Sequence, residues 1–206
     1  MFHKRLLGGL IASAFAVSAA QAAIDLIAVG SLTQATDLSG LAGPLENGVD
    51  HGNVLGGIGS GLAWAGGSTF LALPDRGPNA TSWNSAVDHT TSYISRFQTV
   101  RLALTATPSG SLPFTLSPTL SATTLLYTNE TLNYGPVAPI AAGKNYFTGR
   151  SDNFAGTGSL NAANARLDPE GIRMSNDGKY VYISDEYGPY VYQFERATGK
   201  RVSTFT

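Results

Sequence analysis

A hairpin pattern ending in an acidic loop occurs twice in this chain, and it restricts the fold more than any other feature. The first copy runs Gly61-Leu62-Ala63-Trp64, a Gly-Gly turn, Phe70-Leu71-Ala72-Leu73, then Pro74-Asp75-Arg76-Gly77-Pro78. The second runs Gly171-Ile172-Arg173-Met174, an Asp-Gly turn, Tyr180-Val181-Tyr182-Ile183, then Ser184-Asp185-Glu186-Tyr187-Gly188-Pro189. The copies stay in step from Gly61 and Gly171 to Asp75 and Asp185, after which Tyr187 is inserted. Each reads as strand, tight turn, strand, acidic loop and Gly-Pro stop, so each brings a carboxylate to the same end of its hairpin. With other short strands between them, the copies predict repeated four-stranded units around an axis, a β-propeller-type architecture. The competing reading is a chance likeness of two hairpins within a sandwich or barrel.

The rest of the chain agrees with an all-β fold. Short alternating runs recur at Thr69–Leu73, Tyr93–Phe97, Val100–Leu104, Tyr180–Ser184 and Tyr190–Phe194. Asp177-Gly178 and Thr198-Gly199 supply turns, and 24 Gly with 10 Pro punctuate the chain throughout. Helical periodicity is nearly absent, with one short turn expected at most over Ser159–Arg166. The Thr-, Ser- and Pro-rich stretch Thr105–Pro118 reads as a long loop between strands. The Gly-rich run Gly52–Gly61 lacks the helix start and Lys-Ser/Thr of a phosphate-cradling loop, and reads as a place where strands approach closely.

The N-terminus predicts export. Lys4 and Arg5 precede an uncharged run from Leu6 to Ala20, and Ala20-Gln21-Ala22 has the small-x-small pattern of a cleavage site. That run is about 15 residues, short of the ~20 a membrane helix needs. Residues 1–22 are therefore expected to be a signal peptide, residues 23–206 the mature domain, and the mature chain free of the membrane. The location implied is periplasmic or secreted.

Composition narrows the chemistry. There is no cysteine, which excludes disulfides, thiolate metal sites and a cysteine nucleophile. The core must then come from the 43% of residues that are hydrophobic. The formal charge is −1, and without Lys4 and Arg5 eleven basic residues stand against fourteen acidic ones. A mildly acidic surface without a basic stripe gives no nucleic-acid partner. Of the three histidines, His3 falls in the signal peptide, and His51 and His89 have no partner at metal-ligand spacing. Gly57-Ile58-Gly59-Ser60-Gly61 does not match the nucleophile elbow of serine hydrolases.

The remaining candidates are acidic. Arg166-Leu167-Asp168-Pro169-Glu170 enters the second hairpin and Asp185-Glu186-Tyr187 leaves it. In a meander these lie at one edge, so Asp168, Glu170, Asp185 and Glu186 can gather there, with Asp75 and Arg76 at the equivalent place in the other copy. Such a cluster can bind a hard cation such as Ca²⁺ or divide into general acid and base. Arg76 and Arg166 can clamp a phosphate or carboxylate. The plain alternative is that these are turn residues capping local N–H groups.

Arg166-Leu167-Asp168-Pro169-Glu170-Gly171-Ile172, Asp177-Gly178 and Ser184-Asp185-Glu186-Tyr187-Gly188-Pro189 resemble the hallmark segment of the phytase-like domain family, the proteins with "esterase-like activity of phytase". Ser60-Gly61-Leu62-Ala63 and Pro74-Asp75-Arg76-Gly77-Pro78-Asn79 resemble its first acidic loop, and the likeness spans roughly Gly57 to Lys200. The resemblance implies an exported β-propeller that hydrolyses phosphoric esters through acidic residues. It implies catalytic roles for Asp75, Asp168, Glu170, Asp185 and Glu186, and substrate contacts for Arg76, Arg166 and Tyr187. If Ca²⁺ is used, Asp168, Glu170 and Asp185 are the expected ligands; no organic cofactor is expected. Family members continue beyond the point at which this chain stops, so an incomplete propeller with an open sheet edge is expected, its C-terminal part missing. The second functional reading is a non-catalytic binding module with Tyr187, Tyr190 and Tyr192 as contact residues.

Overall fold

The computed structural model describes residues 24–80, 90–133, 140–150 and 161–206. The expected signal peptide, His3, His89 and the first two residues of the expected helical turn, Ser159 and Leu160, lie outside the described residues. Among the described residues there is no helix, and Asn161–Arg166 forms turns and bends instead of the short helical turn expected there.

Among the described residues, ten strands form two four-stranded antiparallel sheets and one small ribbon. The first sheet orders β1 (Ile58–Trp64), β2 (Thr69–Pro74), β3 (Arg96–Ala106) and β4 (Phe114–Leu125) as a simple meander. The second orders β7 (Pro169–Met174), β8 (Tyr180–Asp185), β9 (Tyr190–Glu195) and β10 (Arg201–Phe205) in the same way. β5 (Tyr127–Thr128) and β6 (Asn145–Tyr146) pair in the connection between the sheets. Both repeated hairpins form as expected, β1–β2 and β7–β8, and the turn glycines Gly178 and Gly199 take φ of 72° and 78°.

The stretch Thr105–Pro118 is not one long loop. β3 and β4 extend into it from its two ends, pairing from Arg96↔Leu125 to Ala106↔Phe114. Pro118 is tolerated because β4 is an edge strand. Tyr93–Phe97 is extended only at its end: Arg96 begins β3, and Arg96 is fully buried. Its guanidinium is paired with the buried Asp37 carboxylate, lies 3.9 Å from the Tyr93 ring centroid, and donates through Nε to the Ile94 carbonyl at 2.7 Å. Gln98 also donates to Asp37, at 3.3 Å. This network ties the N-terminal segment to the first sheet.

The main core lies between the sheets. Leu71, Leu73 and Phe97 from the first pack with Ile172, Val181, Ile183, Tyr192 and Phe194 from the second, and Phe147 from the connection completes the cluster. The alternation of β8 and β9 explains this: Val181 and Ile183, then Tyr190, Tyr192 and Phe194, share a buried face. β2 is buried on both faces, because Ala72 packs with Val100 and Leu120 under Leu32 and Leu55.

The two sheets meet through their first strands. A Cβ on Gly61 of β1 would lie 3.0 Å from both Cγ2 and the backbone N of Ile172 on β7. The expectation of close strand approach in the Gly-rich run is met at this glycine.

Candidate functional site

Because β1 and β7 are neighbours, the loop that leaves β2 lies beside the segment that enters β7. Asp75 follows β2, and its backbone N–H donates to Gly57 just before β1 at 3.1 Å. Asp168 immediately precedes β7, and Glu170 sits in a bulge between Pro169 and Gly171. A bulge re-aims the side chain it carries. One carboxylate oxygen from each of Asp75, Asp168 and Glu170 lies within 4.8 Å of the others. Arg76 Nη1 stands 3.8 Å from Asp75 Oδ2 and 3.8 Å from Asp168 Oδ2. The structure thus brings together Asp75, Arg76, Asp168 and Glu170 from the two repeat copies.

Burial grades this group. Asp168 is only 2% exposed, Asp75 and Arg76 are partly exposed, and Glu170 is exposed. Asp168 Oδ1 is buried with no hydrogen-bond partner among the described residues. Burial first, then the adjoining Asp75 carboxyl, pushes Asp168 up to about 8, against the pull of Arg76. Glu170 is also raised, by desolvation and then by the charges of Asp75 and Glu186.

Asp185 occupies a different position. Its Oδ1 accepts the backbone N–H of Asp168 and that of Tyr187, both at 3.0 Å. Burial pushes it up to about 6, opposed by those two N–H donors. Glu186 is exposed, and its N–H donates to the Asp168 carbonyl at 2.9 Å. The segment leaving the second hairpin is thereby stitched to the segment entering it. Arg166 lies over the Tyr187 ring, 3.8 Å from its centroid, and the Tyr187 hydroxyl donates to the Gly149 carbonyl at 2.9 Å. Tyr190 and Tyr192, expected as contact residues in the binding-module reading, are core residues at 7% and 2% exposure.

Gly149 was not legible as part of this region. A Cβ there would lie 1.8 Å from the Arg76 carbonyl oxygen, so only glycine lets the Asp75–Arg76 loop sit where it does. Its carbonyl also accepts the Thr90 hydroxyl, and its N–H donates to the Tyr93 carbonyl at 3.0 Å. Gly77, with φ of 97° and the Tyr93 ring against it, fixes the other side of the loop. No local motif marks Gly149, since its role exists only across chain-distant contacts.

Chemically, the arrangement offers one exposed carboxylate, one carboxyl that favours its protonated form, and a guanidinium beside both. Such a set can exchange protons with a bound substrate and hold an anionic group.

Comparison with known proteins identifies a family. The family model described as phytase-like, esterase-like activity of phytase, matches residues 53–206, which include both acidic hairpins. An uncharacterized secreted protein of Arthroderma benhamiae is 35% identical over 176 residues, covering 73% of this chain and 33% of that protein. The chain spans about a third of the length of that curated relative. No solved structure matches. With three quarters of its residues inside the family match, including every carboxylate of the site, the chain belongs to the phytase-like family.

Proposed function

We propose that this protein is an exported hydrolase of phosphoric esters. The observation that carries the reading is the convergence of Asp75, Asp168 and Glu170 around Arg76, from two sequence-related hairpins on adjoining sheets. Arg76 anchors the phosphoryl oxygens. Glu170, the exposed carboxylate, takes the proton from the attacking water, and protonated Asp168 gives one to the leaving alcohol. Arg166, stacked on Tyr187, stands at the margin of the same segment. Export is supported by the charged, apolar and small-residue succession of residues 1–22, and by the secreted character that the Arthroderma relative's name carries.

The two sheets are read as adjoining propeller blades. Each is a sequential four-stranded meander, their first strands lie side by side as they would around an axis, and each carries its acidic loop at the same end. Active sites of repeat folds commonly draw on loops from several repeats.

Glu170→Gln tests the function, because the residue is exposed and its loss leaves the core untouched. In the intact protein, hydrolysis of a chromogenic phosphomonoester or phosphodiester is expected to fall by roughly 10²-fold or more at unchanged melting temperature. Full turnover by the variant would sink the assignment.

A further inference from the structure

The geometry points to a divalent-cation site of the calcium type formed by Asp75, Asp168 and Glu170. An acidic cluster alone is not a site, since exposed carboxylates often gather without an ion. Here a second observation is present: Asp168, only 2% exposed within the cluster, has an oxygen that no donor serves among the described residues. A buried carboxylate oxygen left without a partner is costly, and a cation beside it removes that cost.

Geometry and charge fit the ion. Oxygens that lie within 4.8 Å of one another can all reach one Ca²⁺, whose Ca–O distances of about 2.3–2.6 Å allow opposite ligands to stand ~5 Å apart. Three carboxylates and Arg76 carry a formal charge of −2 when all are ionised, which one divalent ion cancels. Three protein oxygens leave coordination positions for water or a phosphoryl oxygen, because calcium takes six to eight ligands. Magnesium demands shorter, near-octahedral coordination and releases water reluctantly, so it suits carboxylates carried on separate loops less well.

The ligand set differs from the one expected from sequence. Asp75 joins Asp168 and Glu170, while the Oδ1 of Asp185 is engaged by two backbone N–H groups. The inference rests on the hydrolase reading and revises its proton roles: with an ion bound, Asp168 and Glu170 would be ionised ligands rather than proton donor and acceptor, and the ion would reverse the local sign that otherwise repels phosphate.

The test is calorimetric and thermal, separate from turnover. Chelator-stripped protein is titrated with CaCl₂ and with MgCl₂, and its melting temperature is read with and without 5 mM of each (about that concentration saturates sites of the extracellular class). One calcium per chain is expected, bound at least about tenfold more tightly than magnesium, with a rise of several degrees in melting temperature. Glu170→Gln, exposed and safe for folding, is expected to weaken binding about tenfold or more, and Asp168→Asn to abolish it. Glu195→Gln, outside the site, keeps it. No calcium heat or shift in the wild type, or equal binding by Glu170→Gln and Asp168→Asn, overturns the inference. Ester hydrolysis that persists in chelator without calcium binding sinks this inference alone; calcium binding without hydrolysis sinks only the hydrolase reading.

Discussion

Asp168→Asn should make the metal-free protein more stable than the wild type at pH 8, less so at pH 6, and almost unchanged only near pH 4. Burial and the neighbouring Asp75 raise Asp168 to about 8 in the folded chain, against an ordinary value of 3.8. The folded state therefore holds this proton more tightly than the unfolded state. A raised carboxyl contributes stability that is complete below the unfolded value and is lost as pH rises through the folded value. For Asp168 that window runs from about 4 to about 8. Asp185, raised to about 6 by burial, loses its contribution lower in the same direction. Between pH 6 and 8 the Asp168 carboxyl dominates these two, at 1.36 kcal/mol per pH unit, so the wild type should lose about 2–3 kcal/mol. For a chain of this size that is a fall of roughly 5–10 °C in melting temperature. The asparagine side chain cannot ionise, and its amide can donate to Asp75, so the variant should show a flat profile over that interval. The assay is thermal or urea denaturation in chelator at half-unit pH steps. A wild-type curve that is flat from pH 6 to 8, or a variant that falls in parallel with it, would refute the reasoning.

Two further substitutions test the scaffold. Gly149→Ala forces a Cβ to within 1.8 Å of the Arg76 carbonyl, so the loop must move; a loss of about 1–3 kcal/mol in urea denaturation is expected, with weaker ester hydrolysis. An unchanged denaturation midpoint would show that the loop yields freely. Asp37→Ala leaves the fully buried Arg96 guanidinium without its carboxylate and is expected to lower stability by about 3–5 kcal/mol. A loss below about 1 kcal/mol would mean that the pair is replaced by water or by Gln98.

Much of the second sheet can be read directly from residue order. Alternation at Tyr180–Ser184 and Tyr190–Phe194 predicts β8 and β9 because a half-buried strand has a period of two, and glycine at positive φ marks the turns on either side of the pair, Gly178 before β8 and Gly199 after β9. β3 and β4 are harder to read. Their Thr-, Ser- and Pro-rich ends resemble a loop because those residues are exposed, and the ladder between Ala103↔Ser117 and Ala106↔Phe114 is held by backbone bonds that carry no side-chain signature. Arg96 is similar: a charged residue beginning a strand looks solvent-facing until Asp37, far away in the chain, is seen against it.

The twice-occurring acidic hairpin shows the division most sharply. Residue order alone determined that two hairpins form and that each ends in a carboxylate, because turn chemistry and strand alternation act over a few neighbouring residues. Tertiary structure decided that the two carboxylates have different surroundings. The pairing of the copies differs by one place, Gly61 facing Leu73 but Gly171 facing Ser184. Asp75 consequently meets Asp168 and Glu170 across the junction of the sheets, while Asp185 turns back to hold the N–H groups of Asp168 and Tyr187. Bulge positions and the contact of Gly61 with Ile172 set that difference, and both depend on how one sheet packs against the other.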